Sequence, residues 1–432
     1  MKQQKLFVFM LDALCDIDIA YMKTLPSFKF LFEEGSYIEK VAPIYPSLTY
    51  PCHVSILTGT YVNKHGIYHN EIVDPYDPNA PWFSKRASIQ CKTLMDYAKE
   101  KGLRTCSLSW PVSGGANIDF NMPMIVPIGY KGEHPEQFFE GYATKELLDK
   151  YYPKYKHFLI DPKCKTLDEY TMAFAKDILK DYGQPDVMLV KMCDLDGARH
   201  NYGVDNEDVR KQLAKHDGQF KELLDHIREY GDFENTNFVV LGDHGQSDVD
   251  FVCNINVLLK KAGFIRVDDA DQMVDFDAYA HSAALSSWIQ LKNPEDQEMK
   301  QKVYQFLSEL KNDERFAITH LFTKEEALEK FGLTGPFDFI IESSKRISFG
   351  NTVQGDEDCV ATREGDYKFS KATHGGLPTR DHQTTFVACG PAVKKGVHIV
   401  SGNMVDEAPT MAAMLGIEME DIDGEVRTEL LR

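Results

Sequence analysis

The stretch KLFVFMLDA, residues 5–13, is a continuous apolar run that ends at a carboxylate, Asp12. Such a run is typical of a strand that is buried on both faces of a parallel sheet. Three later stretches have the same character: PDVMLVKMCDLD (185–196), TNFVVLGDHG (236–245) and TTFVACGPAV (384–393). Because longer helical patterns lie between these runs, the sequence predicts an α/β fold in which helices sandwich a largely parallel sheet.

Polar side chains follow three of these four strands at the point where each strand ends. Asp12 follows the first strand, Asp196 follows the second, and Asp243 and His244 follow the third. Ligands bind open α/β sheets at the carboxyl ends of the strands. We therefore expect a functional site at this edge of the sheet.

The composition supports a globular protein that is not built to bind polyanions. The chain has 432 residues, of which 43% are hydrophobic and 27% are charged, enough for a large core. Its 48 Lys and Arg against 67 Asp and Glu give a net charge of -19. This balance argues against nucleic-acid polymers and anionic membranes as partners. A small phosphorylated substrate remains compatible with it if metal ions supply local positive charge.

The segments expected of exported or membrane proteins are not visible in the sequence. No run approaches 18 apolar residues, and the start of the chain lacks the pattern of a signal peptide. The nine cysteines are scattered and never have CxxC spacing, which fits reduced thiols. We therefore expect a cytoplasmic protein; the sequence does not indicate its oligomeric state.

The pattern changes between residues 252 and 370. A strand-like segment (284–291), a helix-like segment (295–312) and a second strand-like segment (337–343) follow one another there. We interpret this region as a small α+β insertion that caps the edge of the sheet. The catalytic core would then comprise residues 1–251 and 371–432.

Six potential metal ligands stand at or near the predicted strand ends. None of them is a thiolate. Three carboxylates and three imidazoles suit two closely spaced divalent ions, and zinc is the metal we expect, with manganese or iron as substitutes. They are Asp12, Asp196, His200, Asp243, His244 and His374.

The segment YPSLTYPCHVSILTG, residues 45–59, places Thr49 between two prolines at the predicted start of a helix. Thr49 could simply be a residue at the start of a helix, just as each aspartate among the six potential ligands could be an ordinary turn residue. Alternatively, an ion that lowers the pKa of its hydroxyl makes it a nucleophile toward phosphorus. A helix that starts after Pro51 would also direct its free N–H groups at a phosphoryl oxygen.

The ordered motifs resemble those of the type I phosphodiesterase/nucleotide pyrophosphatase branch of the alkaline phosphatase superfamily. The resemblance spans residues 6 to about 425. It rests on PSLTYPCHVSILTGTYVNKHGI (46–67) with its continuation HGIYHNEIVDP, and on SLSWPVSGG (107–115), DLDGARHNYG (194–203), GDHGQ (242–246) and THGG (373–376).

The resemblance implies an alkaline phosphatase-like core and a role for each ligand. It implies one ion held by Asp196, His200 and His374. A second ion would be held by Asp12, Asp243 and His244, with Thr49 as the nucleophile on that ion. Phosphate diesters would then be cleaved through a phospho-threonine intermediate.

One position departs from the family pattern. Cys52 stands where the family has an asparagine three residues after the nucleophile, and a thiol is a weak hydrogen-bond donor. Either the Tyr50 backbone N–H and the metal ions suffice, or another residue substitutes, or the substrate class differs. We predict Tyr50, Cys52 and Trp110 as substrate contacts.

Two rival functions stay open at this point. One is a phosphonate or phosphate-monoester hydrolase with the same metal site, which would need an additional cation, for which Lys64, Arg86 and Arg199 are candidates. The other is a catalytically degenerate protein that binds metal or phosphate without turnover.

Overall fold

The computed structural model of the chain describes residues 2–77, 80–125, 139–160, 166–344, 346–363, 371–380 and 382–432. Its strands are β1 (Lys5–Leu11), β2 (Ser36–Ala42), β3 (Thr105–Leu108), β4 (Phe120–Met122), β5 (Val187–Met192), β6 (Thr236–Leu241), β7 (Ser247–Asp248), β8 (Phe251–Cys253), β9 (Ile265–Val267), β10 (Met273–Phe276), β11 (Ala278–Ala283), β12 (Ser286–Leu291), β13 (Ile318–Thr323), β14 (Phe339–Ser343), β15 (Ile347–Phe349), β16 (Cys359–Ala361), β17 (Ala372–Thr373), β18 (Thr384–Cys389) and β19 (His398–Asn403).

The α-helices alternate with these strands along the chain. They are α1 (Ile19–Met22), α2 (Pro26–Glu34), α3 (Thr49–Thr58), α4 (Val62–His65), α5 (Leu94–Glu100), α6 (Lys145–Lys150), α7 (Tyr152–Tyr155), α8 (His157–Ile160), α9 (Leu167–Tyr182), α10 (Asp194–Tyr202), α11 (Glu207–Tyr230), α12 (Ile255–Lys261), α13 (Gln297–Lys311), α14 (Lys324–Phe331) and α15 (Glu407–Met414).

A large sheet of eight strands, in the order β19-β2-β18-β6-β1-β5-β3-β4, forms the centre of the fold. Strand β1 pairs in parallel with both β5 and β6, and β5 pairs in parallel with β3. Only β18 among the strands of this sheet runs antiparallel to its two neighbours, β2 and β6. The predicted α/β fold with a largely parallel sheet is confirmed.

Both faces of the sheet are covered, which explains why its central strands are apolar throughout. On β1, the side chains of Leu6, Val8 and Met10 join one buried cluster, to which α3, α5 and α15 also contribute. The alternating residues Phe7 and Phe9 join a second cluster, to which α9 and α11 contribute. The alternation of a strand thus sends successive residues into two cores.

The predicted strand–helix–strand unit is present as β12, α13 and β14. These strands belong to a four-stranded antiparallel sheet in the order β11-β12-β14-β13. Val303 and Leu307 of α13 pack in the same buried cluster as Ile289 of β12 and Ile341 of β14. The limits of the insertion, 252 and 370, stay a prediction, and residues 364–370 lie outside the described residues.

Two further observations bear on the expectations drawn from composition. Within the described ranges, no helix has the length and apolar character needed to cross a membrane. All eight cysteines of those ranges are free thiols. The cytoplasmic location stays a prediction.

Candidate metal centre

The sheet brings the predicted ligands together because the strands that precede them are neighbours in register. Leu11, the last residue of β1, pairs with Met192 of β5, and Met10 pairs with Leu241 of β6. The residues that follow these strand ends therefore emerge at one edge. They carry Asp12, Asp196 and Asp243 into a single buried region.

One group of ligand atoms consists of Asp12, Asp243 and His244. The Nε2 atom of His244 lies 3.5 Å from Asp12 Oδ1 and 3.2 Å from Asp243 Oδ2. The three residues offer ligand atoms that all lie within 4.8 Å of one another. The spacing suits a single divalent ion between them.

A second group forms around Asp196. Its Oδ2 lies 3.3 Å from His200 Nε2, and its Oδ1 lies 3.8 Å from His374 Nε2. The ring of His374 stacks on that of His244, with centroids 3.7 Å apart. Asp196, His374 and His244 likewise offer ligand atoms that lie within 4.8 Å of one another, so His244 lies within reach of both groups. The two groups therefore adjoin.

Each of the three histidines is oriented by a backbone carbonyl. The Nδ1 atoms lie 2.7 Å from Ala372 O for His200, 2.9 Å from Ser47 O for His374, and 3.2 Å from Gly245 O for His244. A proton on Nδ1 that is donated in this way leaves Nε2 as the lone-pair nitrogen, which is the arrangement of metal-binding histidines. All three Nε2 atoms face the carboxylates.

The electrostatics of the cluster also fit bound cations. Asp12 Oδ1 and Asp243 Oδ2 are buried and have no hydrogen-bond partner among the described residues. Burial and the adjacent Asp243 carboxylate raise the pKa of Asp12 to about 6. Burial lowers the pKa of His244 to about 4, so this imidazole is neutral and able to coordinate. Buried carboxylates beside neutral imidazoles are a donor set for zinc.

Thr49 lies directly beside these ligands. Its Oγ1 is 3.2 Å from His244 Nε2, and the residue is only 5% exposed. Helix α3 begins at Thr49 itself, whereas the sequence suggested a start after Pro51. Pro51 is accommodated because the first-turn residues of a helix need no backbone N–H for intrahelical bonding.

The sequence reasoning missed a buried lysine in the site. The Nζ atom of Lys191, on β5, lies 2.7 Å from Asp12 Oδ2, and the Lys191 side chain is completely buried. Burial alone would lower the pKa of Lys191, but the Asp12 carboxylate keeps it above its usual value. A single charged residue in the apolar run VMLVKM was the available signal.

Two amide side chains were also missed. Asn70 Oδ1 accepts a 2.9 Å hydrogen bond from the backbone N–H of Tyr50, the residue after the nucleophile candidate. Gln246 Nε2 donates a 2.6 Å hydrogen bond to Asp196 Oδ1. Asn70 falls within the HGIYHNEIVDP segment, but no local pattern there links it to Thr49.

The three predicted substrate contacts are all buried. Tyr50 packs in a small apolar cluster, with its ring centroid 5.2 Å from that of Trp82. Cys52 packs in the main apolar core. The Trp110 indole donates a 3.4 Å hydrogen bond to His53 O. Their role in substrate binding stays a prediction.

The three candidate cations are each paired with a carboxylate away from the ligands, whereas His53 contacts the site itself. Lys64 pairs with Asp423 at 2.9 Å, Arg86 with Asp96 at 2.6 Å, and Arg199 with Asp18 at 2.6 Å. His53 Nδ1 lies 2.7 Å from Thr49 O and 3.3 Å from Asp243 Oδ2. His53 therefore contacts both the nucleophile candidate and one candidate ligand, as expected for a residue that positions the site without binding the ion.

The solved structures with a similar fold include ectonucleotide pyrophosphatase/phosphodiesterase 5 from two species. Human ectonucleotide pyrophosphatase/phosphodiesterase 5 has a TM-score of 0.68 at 16% identity, and the murine protein has 0.67 at 16%, each over 100% of both chains. An inactive threonine-to-alanine variant of the murine protein, in complex with AMP, has a TM-score of 0.65 at 15% identity. The match confirms the alkaline phosphatase-like fold.

Sequence comparisons agree with the structural ones. Residues 6–368 match the sequence model described as "Type I phosphodiesterase / nucleotide pyrophosphatase". Ectonucleotide pyrophosphatase/phosphodiesterase family member 7 of Mus musculus is 22% identical over 92% of this chain and 80% of its own length. Family member 1 of Homo sapiens is 27% identical over 51% of this chain, but the match spans only 21% of that protein.

The fold and the ligand cluster at its carboxyl edge thus define a metal-dependent hydrolase of the phosphodiesterase class. The chain belongs to the type I phosphodiesterase/nucleotide pyrophosphatase family.

Proposed function

We propose that the protein hydrolyses small phosphate diesters at a two-metal centre, with Thr49 as the nucleophile. The observation that carries the proposal is the position of the Thr49 hydroxyl, 3.2 Å from His244 Nε2 in a cluster of buried carboxylates and imidazoles. An ordinary helix entry needs no such neighbours.

Asp12, Asp243 and His244 would hold one ion, and Asp196, His200 and His374 would hold the other. When bound, the ions supply the charge that lowers the pKa of an attacking hydroxyl and neutralises the phosphoryl oxygens. The donor set favours zinc, with manganese or iron as substitutes. His53 contacts both the carbonyl of Thr49 and the carboxylate of Asp243, so it positions the nucleophile next to a ligand of the ion.

Asn70 supplies the side-chain hydrogen-bond donor that the family pattern has at the Cys52 position. The Tyr50 N–H is already donated to Asn70 Oδ1, so it does not serve as the donor to substrate. The same contact holds the Asn70 amide next to the nucleophile segment, and its NH₂ group provides the donor to a phosphoryl oxygen. The departure at Cys52 therefore does not change the substrate class.

The charges around the site favour a diester over a monoester or a phosphonate. A monoester carries an additional negative charge and needs an additional cation. Lys64, Arg86 and Arg199 are each paired with a carboxylate outside the ligand set. Lys191 is near the site, but it is paired with Asp12. The structurally similar murine protein was solved in complex with AMP, so a nucleotide diester is the first substrate to try.

The direct test is to trap the covalent intermediate. Zinc-loaded protein is mixed with a nitrophenyl ester of a nucleoside 5′-phosphate, quenched in acid during turnover, and analysed by peptide mass spectrometry. We expect the nucleotidyl mass on the peptide containing Thr49, and on the same peptide of Thr49→Ser. An adduct on a different residue, or turnover that persists in Thr49→Ala, would contradict the proposed mechanism.

A further inference from the structure

A third group of potential metal ligands lies outside the site described above. It consists of His69, Glu71 and His281, whose ligand atoms all lie within 4.8 Å of one another. His69 and His281 are 1% and 6% exposed, and the Glu71 side chain is 15% exposed. His69 and Glu71 flank Asn70 in the HGIYHNEIVDP segment, but none of the three residues is a proposed ligand or nucleophile of the catalytic centre.

The spacing of this group suits a single ion. His281 Nε2 lies 3.6 Å from Glu71 Oε2, and the imidazole rings of His69 and His281 are 5.0 Å apart at an angle of 73°. Nitrogen and oxygen ligands at about 2.0–2.1 Å from zinc stand roughly 3.3 Å from each other. The observed separation therefore needs only a small contraction.

The protein also orients His69 toward the other ligands. Its Nδ1 accepts the backbone N–H of Glu71 at 3.1 Å, so the neutral imidazole carries its proton on Nε2, which donates to Ser282 O on β11 at 3.2 Å. Ser282 follows His281 in the chain. An ion bound to His69 Nε2 would displace this proton and the Ser282 contact, and the imidazole would keep its one proton on Nδ1 in place of the hydrogen bond from Glu71.

A cavity of about 410 Å³ opens onto the group and gives an ion a way in. Glu71 and His281 line it. So do Asp74, Asp77 and Asp271, and no lysine or arginine of the described ranges does, although Lys260 pairs with Asp271 at 2.6 Å. The negative lining attracts cations, and the open side leaves a fourth coordination position for water.

We infer that His69, Glu71 and His281 form a third divalent-metal site, with zinc as its ion. Two imidazoles and one carboxylate are a borderline donor set that suits zinc better than calcium or magnesium. The site would join the segment after the nucleophile helix to strand β11. Since Asn70 lies between His69 and Glu71, the ion would also fix the residue that holds the Tyr50 N–H.

Zinc stoichiometry tests this inference independently of activity. The zinc-loaded full chain is desalted, and its bound metal is counted by native mass spectrometry. We expect wild type to carry one zinc more than Glu71→Gln, and Glu298→Gln to match wild type, because Glu298 is exposed on α13. His281→Gln is the second variant, and circular dichroism of both confirms that they fold.

The outcomes separate this site from the catalytic one. Asp243→Asn removes a ligand of the proposed catalytic centre and should leave the one-zinc effect of Glu71→Gln unchanged, whatever the catalytic centre binds. Equal zinc counts in wild type, Glu71→Gln and His281→Gln would overturn the third site, even if the two-metal centre holds.

Discussion

At the scale of single residues, the proposed role of Thr49 as nucleophile leads to the first prediction. Thr49→Ala removes the hydroxyl 3.2 Å from His244 Nε2 and leaves all six ligands in place. We expect kcat/KM toward a diester to fall on the order of 10³-fold or more, because the covalent step cannot take place without the attacking hydroxyl. Steady-state kinetics at saturating zinc measure this effect.

The control for this prediction is Thr49→Ser, which keeps a hydroxyl and should retain measurable turnover. Unchanged zinc content in Thr49→Ala would show that the loss is chemical. An alanine variant within tenfold of wild type would contradict the assignment.

Lys191 supports a second prediction at this scale. Lys191→Met leaves the buried Asp12 carboxylate without its 2.7 Å partner. Breaking a buried ion pair costs about 3–5 kcal/mol, so the free energy of unfolding of the metal-free protein should fall by about this amount. Zinc should restore part of the loss because the ion supplies Asp12 with a new counter-charge.

Denaturant unfolding with and without zinc measures both effects. Lys5→Met is the matched control, since Lys5 pairs with Asp186 at 2.6 Å on the same sheet but in a partly exposed position. It should cost about 1 kcal/mol or less, with no dependence on zinc. Equal losses in the two variants would refute a specific role for Lys191.

Single residues also show where sequence reasoning succeeds. The convergence of Asp12, Asp196 and Asp243 could be predicted because each follows an apolar run, and the edge of a parallel sheet brings such positions together. Their role as metal ligands stays a prediction. Lys191 and Asn70 could not, because their relation to Asp12 and Tyr50 exists only after the strands pair and the segment after α4 folds back onto α3.

At the scale of elements, the short turn after β6 positions two proposed ligands, Asp243 and His244, and depends on its glycines. A Cβ atom added at Gly245 would stand 2.0 Å from His382 O, and one at Gly242 would stand 2.2 Å from Leu14 O. Backbone approaches this close admit only glycine. The GDHG turn is therefore tight for steric reasons, and His244 depends on it.

Gly245→Ala should displace His244 and weaken metal binding. We expect zinc affinity at the catalytic centre to fall roughly 10–100-fold, the usual effect of disturbing the support of a ligand. Competition with a chromogenic chelator measures this affinity.

The matched control is Gly197→Ala on helix α10, beside Asp196, where an added Cβ meets nothing within 4 Å. It should keep full affinity and stabilise the helix by about 0.5–1 kcal/mol. Normal zinc affinity in Gly245→Ala would contradict the steric argument.

Elements show the limits of local pattern as well. The strands β1, β5 and β6 and the helix α13 could be predicted from apolar runs and helical periodicity. The predicted start of α3 was three residues too late, because the proline at the third position of the helix suggested a later beginning. The order of the strands in the sheet depends on tertiary pairing, and no local segment encodes it.

At the scale of the whole molecule, metal removal should lower stability. Three buried carboxylates of the proposed catalytic centre would then share one lysine and three imidazoles. A ligand at 100 times its Kd stabilises the folded state by about 2.7 kcal/mol per site, so chelation should lower Tm reversibly. Calorimetry before and after chelation, and again after zinc is returned, measures the shift.

The double variant Asp12→Asn/Asp243→Asn is the control for this experiment. It lacks two ligands of one proposed ion, so its Tm should respond less to zinc than that of wild type. An identical response would place the stabilising ion elsewhere in the molecule.

The central claim is that Thr49 and two metal ions cleave phosphate diesters. Its most direct test is kcat/KM of the zinc-loaded protein on an aryl phosphodiester against the matching monoester, with Thr49→Ala as the blank. We predict a preference for the diester that disappears in the variant. A preference for the monoester, or equal traces with and without Thr49, would contradict the claim.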